Sequence, residues 1–592
     1  MASFNHSPSH GRVRPHPPWE ACPVPTHTVL NQSPPRTGVD EFGLNTALVE
    51  ALAHYAPAAD VTELHRIGRL VGSVEFQRDA RAAERNPPVL STHDRWGNRV
   101  DDVDFHPGYH RVIAEALHAG AHSLAWTQPR ANAERAARFM LFAQVEPGHG
   151  CPVSMTHAAY AALRGTEHEA YWGPRLTAAA YDPRLVDTAQ KSAVTFGMAM
   201  TEKQGGSDVR ANTTRAVPVA HSGSAPPAGL PGSGDGLPGR PFELTGHKWF
   251  CSAPQSDAFL MLAQLDEGLS CFVVPRVLPG GERNGVRIQR LKDKLGNKSN
   301  ASSEIELEGA AGWLVGDPGR GVRTIIEMVN RTRLDCILGS AAGMRQGVAE
   351  AAWHTQHRFA FGARLSEQPL MRAVLADLQL EAEAATWTAL HLASAHDAES
   401  GDDADFRRIA TAIAKYWICK RGPEHAYECL ECLGGNGYTE SFPLAMRYRE
   451  QPVMAVWEGS GNVIVLDVLR ALAKDPRSAK ALLAQLEGAL GYMPDYDRAF
   501  DVAARELARA STAAADGEPA ALAEFAAAGR VLVERLALLL QASVLLTRAP
   551  GEVARSFVLA RLGPDRGREY GALPGGVDID GLVARAMGCE EG

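Results

Sequence analysis

The sequence lacks the short signatures of several common chemistries. It contains no HExxH, no GxxxxGK[ST] and no GxSxG, so zinc-hydrolase, P-loop and nucleophile-elbow mechanisms have no carrier. A membrane span is missing too. The most apolar helical stretch, 531–546, is interrupted by Glu534 and Arg535 and is too short to cross a bilayer, so no membrane partner is expected. Residues 1–18 are rich in His, Pro and Ser without the apolar centre of a signal peptide. They read as a flexible tail on a cytoplasmic protein. The nine cysteines are odd in number and scattered, which fits a reducing compartment and not a disulfide scaffold. There is no excess of positive charge either. A net charge of −9 and a pI near 6.2 give no global attraction for nucleic acid, while a local basic surface stays open.

What is present is a chain of 592 residues, 45% hydrophobic and 22% charged, enough for several globular domains. Apolar residues recur at helical spacing over 45–55 and 131–144. From Ser192 the pattern changes to short β-type runs at 197–201, 242–244, 258–264, 271–274, 286–290 and 303–307, separated by Gly, Pro and charged turns. Helical patterns return after Gly321, over 323–330, 336–357, 369–395, 406–433 and 462–473, with Gly422-Pro423 expected to kink or split the fourth of them. The expected fold class is α+β. Its expected parts are the tail 1–18, a helical N-terminal domain 19–191, a middle β domain 192–320, a helical bundle 321–475 and a C-terminal helical domain 476–592. A Gly/Pro/Ser-rich excursion at 217–240 interrupts the β domain. Its Gly234-x-Gly236-x-x-Gly239 is not a dinucleotide fingerprint, because no apolar strand precedes it and no amphipathic helix follows.

The most informative run is Trp457-Glu458-Gly459-Ser460-Gly461-Asn462. It sets a carboxylate beside a large ring, then glycines that admit a flat ligand, then an apolar helical stretch for which Ser460 is a natural N-cap. Glu458 is placed to act as a base. A capped helix with an exposed glutamate satisfies the same run. Met200-Thr201-Glu202-Lys203-Gln204-Gly205-Gly206-Ser207-Asp208 offers hydroxyls and backbone donors to the edge of a heteroaromatic ring, or is a surface turn. In Lys248-Trp249-Phe250-Cys251-Ser252 the rings can cover a planar cofactor or fill core. Arg358 can fork onto a phosphate, and Gly434-Gly435-Asn436-Gly437-Tyr438 ends a helix. Cys429-x-x-Cys432 has no further ligands and reads as structural, so no metal is expected.

These five segments, taken in their order along the chain from Met200–Asp208 to Trp457–Asn462, resemble the acyl-CoA dehydrogenase family of flavoproteins over roughly 131–472. Thr26 to Gln32, Met200 to Val209 and Leu291-Lys292-Asp293-Lys294-Leu295-Gly296-Asn297 are similar to its AidB-like branch, associated with the adaptive response to DNA alkylation. The resemblance implies FAD between the β domain and the bundle. The flavin contacts it implies are Met200, Thr201, Gly206, Ser207, Trp249, Phe250, Ser252, Trp457 and Gly459. Arg358 would bind the pyrophosphate of the FAD of a neighbouring subunit in a homotetramer, Gly435 matches the next flavin contact segment, and Ser460 and Asn462 would lie toward the adenosine or phosphates of the cofactor. Glu431 stands where the family prefers Gln, and its charge opposes a phosphate there. Glu458 matches the catalytic base that takes an α-proton from an acyl-CoA, and Thr332 and Arg333 match a CoA-binding segment, although Arg331-Thr332-Arg333 also reads as a charged helix face.

Function divides along two lines. One is a DNA-associated flavoprotein that limits alkylation damage, with weak oxidation of short or branched acyl-CoA. Double-stranded DNA would then meet the C-terminal domain at Arg561, Arg566 and Arg568. The other is a dedicated acyl-CoA dehydrogenase with no role at DNA.

Overall fold

The computed structural model describes residues 28–219, 237–398, 400–516 and 519–588. The expected tail and most of the 217–240 excursion lie outside them. The N-terminal part is helical. Asn45, Asp60 and Ser73 each accept a backbone N–H to cap the helices Thr46–Tyr55, Val61–Val71 and Val74–Arg85. An antiparallel hairpin, Val89–His93 with Arg99–Asp104, interrupts them. Its strands are largely polar and only partly buried, so they carry no apolar alternation to betray them. Asp94 closes the turn by accepting from the N–H groups of Trp96 and Asn98.

Seven strands form the middle sheet, in the spatial order Phe196–Ala199, Pro241–Ser252, Arg215–Pro218, Ala258–Leu265, Gly268–Pro275, Ser302–Val315, Val286–Leu291. Further pairings of the first with the fourth and of the second with the sixth wrap the sheet on itself. One face buries Phe242, Leu244, Phe259 and Phe272 in its own interior. The other sets Leu260, Val273 and Trp313 against Ala158 and Leu163 of the helix Gly150–Leu163. Sheet and N-terminal helices are therefore welded by apolar burial.

Two expected breaks are absent from the bundle. The runs 323–330 and 336–357 are one helix, Gly321–His357. The residues between them looked like a solvated charged face, but Arg333 and Asp335 are buried in ion pairs with Asp467 and Arg135. Asp402–Glu431 likewise passes through Pro423 unbroken. Gly422 is needed there because a Cβ would collide with Gln451 of the adjoining helix Leu444–Val456. By contrast, the apolar stretch Leu444–Lys474, which has the length and hydropathy of a membrane span, is cut at Trp457–Ser460 into helices of 13 and 14 residues.

The helices Pro476–Glu487, Pro494–Asp516, Pro519–Arg548, Gly551–Leu562 and Ile579–Met587 follow. Leu482, Leu536, Leu540, Phe557 and Leu582 join Leu390 and Ile413 in one core, so these helices are continuous with the bundle. Arg585 bridges Glu383 and Glu50. Arg561 is a correction to the DNA-facing set. It lies inside, 2.6 Å from Asp377 and 2.9 Å from Glu381, and Glu381 is also paired with Arg421. Among the three arginines, only Arg566 and Arg568 are exposed. Replacing Arg561 with Ala strands the buried Asp377 without a cation, leaves Glu381 with Arg421 alone, and is expected to lower unfolding free energy by about 3–5 kcal/mol. Denaturant unfolding measures this, and an unmoved midpoint contradicts the buried assignment.

Candidate active site

Glu458 sits in the break between the helices Leu444–Val456 and Gly461–Lys474, with φ +57°, a left-handed conformation that side chains other than glycine rarely adopt. Gly459 follows at φ +110°. Two buried cations hold this turn. Arg333 donates from Nε to the Glu458 carbonyl at 3.0 Å, and Lys415 donates from Nζ to the Gly459 carbonyl at 2.6 Å. Asp467 fixes Arg333 at 2.7 Å and also binds Arg408 at 3.0 Å. Arg333 is thus committed to the turn, and its neighbour Thr332 lies beside the Glu458 carboxylate. Ser460 occupies the N-cap position but makes no capping hydrogen bond. Asn462 accepts from Arg530 of the C-terminal helices at 2.9 Å.

The Glu458 carboxylate enters a narrow cavity of about 30 Å³ whose other walls include Phe139, Cys151, Met155, Cys336 and Trp457. Its Oε2 is buried without a hydrogen-bond partner. Burial is the largest influence on its pKa and raises it above the usual glutamate range, against the opposing pull of Thr332, Arg333 and Lys415. Desolvation therefore outweighs both cations and the helix N-terminus. A raised pKa suits a group that must take a proton at neutral pH.

The strand Pro241–Ser252 runs to the same place. Ser252 reaches the thiol of Cys151, which lines the cavity. Phe250 is 49% exposed, a large ring left uncovered at the sheet edge. Trp249 is capped by Lys292, whose Nζ lies 3.5 Å from the ring centroid and 4.6 Å from that of Phe250. The loop 200–208 is drawn onto this strand by a buried ion pair, Lys248 to Glu202 at 2.8 Å. Glu202 also accepts from the N–H groups of Thr213 and Thr214, and Lys248 holds its carboxyl far below the normal range. Met200 and Trp457 border one apolar cluster. Gly206 admits no Cβ, which would strike the Thr201 hydroxyl. Ser207 is exposed beyond it.

A second group gathers on the surface. Arg358 donates to the Asn31 carbonyl, Asn31 bonds Phe359 in both directions, and Asn436 donates to Gln32. Around them Phe361 and Tyr438 are 97% and 83% exposed, and the Cβ directions of Gly434 and Gly435 are open. Glu431 is exposed on the preceding helix. Cys429 and Cys432 are both buried.

Three family models match in succession: the adaptive response protein AidB N-terminal domain at 31–183, the acyl-CoA dehydrogenase middle domain at 197–310 and the acyl-CoA dehydrogenase C-terminal domain at 319–473. The AidB protein of Escherichia coli (strain K12) is 44% identical over 81% of this chain and 86% of its own.

The chain belongs to the acyl-CoA dehydrogenase family, on its AidB branch. Caenorhabditis elegans ACDH-11, solved in complex with C11-CoA, superimposes with a TM-score of 0.79 at 25% identity, over 94% of this chain and 96% of its own. An acyl-CoA dehydrogenase complexed with FAD from Bacillus anthracis shares the fold with a TM-score of 0.57 at 17% identity, over 81% of each chain.

FAD is the cofactor of this family member. The residues present fit it: a ring left bare at Phe250, a glycine-bearing loop pinned by Glu202, and unpartnered polar atoms at Glu458 Oε2 and Trp457 Nε1.

A raised pKa in the folded state means that Glu458 favours folding most below the unfolded value of about 4.3. That contribution is lost as pH rises through the folded pKa. Glu458→Gln is therefore expected to raise the thermal midpoint at neutral pH, with the gain shrinking as pH falls toward 4.3. A midpoint difference independent of pH refutes the unpaired, desolvated carboxylate.

Proposed function

We propose that this protein is an FAD-dependent dehydrogenase acting at the α,β carbons of a short or branched acyl-CoA. The observation that carries the reading is the buried, unpartnered Glu458 Oε2 at the mouth of an apolar cavity. Glu458 takes the α-proton and holds it on its carboxyl. The 200–208 loop, Phe250 and Trp457 would hold FAD, which would supply the acceptor for the hydride leaving Cβ as a double bond forms between the two carbons. Thr332 lies against the base, while Phe139, Met155 and Trp457 exclude water and keep its pKa high. The apolar walls of the cavity suit the hydrocarbon part of a thioester. The ACDH-11 complex with C11-CoA supports a thioester as the ligand class.

We also propose a homotetramer in which the exposed group around Arg358, Phe361, Gly435 and Tyr438 meets the cofactor of a neighbouring subunit. That group is polar, glycine-lined and ringed by bare aromatics. Anaerobic titration with a panel of acyl-CoAs is expected to bleach the flavin of the wild type and leave that of Glu458→Gln yellow. A flavin that stays oxidised across the panel removes the reading.

The AidB kinship supports a second role, protection against DNA alkylation with duplex DNA at the C-terminal helices. Arg566 and Arg568 are its candidates, exposed on the segment after Gly551–Leu562 beside Asp565 and Glu569. Arg566→Ala with Arg568→Ala should weaken duplex binding and reduce the slope of log affinity against log salt by about 2. An unchanged slope assigns the DNA contact elsewhere.

A further inference from the structure

The helix Val74–Arg85 presents Gln77, Arg78, Arg81, Ala82 and Arg85 to a cleft of about 940 Å³. Steps of three and four residues put these side chains on one helix face. The other walls come from residues 33–37, from the end of Gly321–His357, and from the connection that leads into Leu444–Val456. The cleft shares no lining residue with the acyl cavity, and none with the group around Arg358, Phe361, Gly435 and Tyr438. Its size is that of a small-molecule site.

Charge on these walls is unbalanced. Five arginines border the cleft, Arg36, Arg78, Arg81, Arg85 and Arg447, against one carboxylate, Glu350. Arg36 is spent on Glu41, and Arg78 leans on Asp79. Arg81 and Arg85 donate to the Ser441 and Glu440 carbonyls at 2.7 and 2.8 Å, partners that carry no charge. Arg447 differs from all four. It is only 6% exposed, yet it makes no hydrogen bond or ion pair among the described residues, and its Nε is buried without a partner. Burial lowers its pKa against the pull of Glu350 and Glu450. Gln77 Nε2, on the wall formed by Val74–Arg85, is a second buried donor without an acceptor. Buried donors are costly to leave unmade. What both atoms lack is an acceptor, and beside a guanidinium the matching acceptor is an anion. The rest of the lining is apolar. Val145, Leu433, Phe442 and Met446 contribute hydrocarbon and ring surface. Trp353 has its indole N–H committed to the Pro34 carbonyl at 2.8 Å, so it offers the cleft only its ring.

We infer that this cleft binds an apolar carboxylate, with Arg447 and Gln77 donating to the carboxyl head and the hydrocarbon body lying on Val145, Leu433, Phe442 and Met446. A single negative charge suits the site, because Glu350 opposes a second one. A bare inorganic anion would leave the apolar walls wet, and an uncharged hydrocarbon would leave Arg447 unbonded. The site stands apart from Glu458 and does not rest on the dehydrogenase reading.

The test is equilibrium binding to the FAD-loaded full chain, measured by calorimetry. Octanoate, 1-octanol and acetate are titrated into the wild type, into Arg447→Gln, and into Ala82→Trp, whose indole fills the cleft from a half-buried position. The wild type is expected to bind octanoate about 10-fold or more tightly than either 1-octanol or acetate. Arg447→Gln is expected to weaken octanoate by about 10- to 100-fold and to leave 1-octanol unchanged. Ala82→Trp is expected to weaken octanoate and 1-octanol together by about 10-fold or more. If Arg447→Gln does not fold, Ala82→Trp decides alone. Absence of octanoate binding, or equal octanoate affinity in all three proteins, overturns the site. So does displacement of octanoate by butyryl-CoA, which lodges it in the acyl cavity instead.

Discussion

The functional centre depends on a left-handed turn that its own residues would not choose. Glu458 has a Cβ, yet its φ is positive, a state that costs on the order of 1–3 kcal/mol. Arg333 and Lys415 hold it there by taking one carbonyl each. Asp467 makes the arrangement rigid, because it neutralises Arg333 and Arg408 together. By length and hydropathy alone the run Leu444–Lys474 would suit one helix, and Gly459-Ser460-Gly461 together with those bonds break it. The break aims the carboxylate into the cavity and turns the second helix outward.

Several buried charges elsewhere are paired. Glu202 meets Lys248, Asp335 meets Arg135, and Asp257 meets Lys191. Each pair joins segments distant in the chain, so each fixes register more than it adds stability. The bare Oε2 of Glu458 differs from these pairs and faces a cavity. A carboxylate oxygen left without a partner is poor for folding and good for proton abstraction.

The C-terminal helices are part of this centre and no loose appendage. Their apolar residues complete the bundle core, Arg561 and Arg585 neutralise carboxylates on Pro369–Ser394, and Arg530 reaches Asn462 beside the turn. A surface for DNA is accordingly confined to what these duties leave exposed. An arginine count along the chain overstates that surface, since the same side chain serves equally well as an internal counter-ion.

By itself, the sequence determined the α+β class, the order of helix, sheet and bundle, and the contiguous run around Glu458. Those follow from local periodicity and from residues adjacent in the chain, which one strand of text displays. It left the polar hairpin at 89–104 invisible and predicted breaks at Arg331–Asp335 and Gly422-Pro423 that do not occur, because charge and helix-breaking residues read as exposed until their partners are known. Only the tertiary structure decided that Arg333 serves the turn, that Arg561 is internal, and that Lys415, Asp467 and Glu202 hold the site. Their partners lie tens to hundreds of positions away, and desolvation, which sets the state of Glu458, belongs to packing and has no signature in the order of residues.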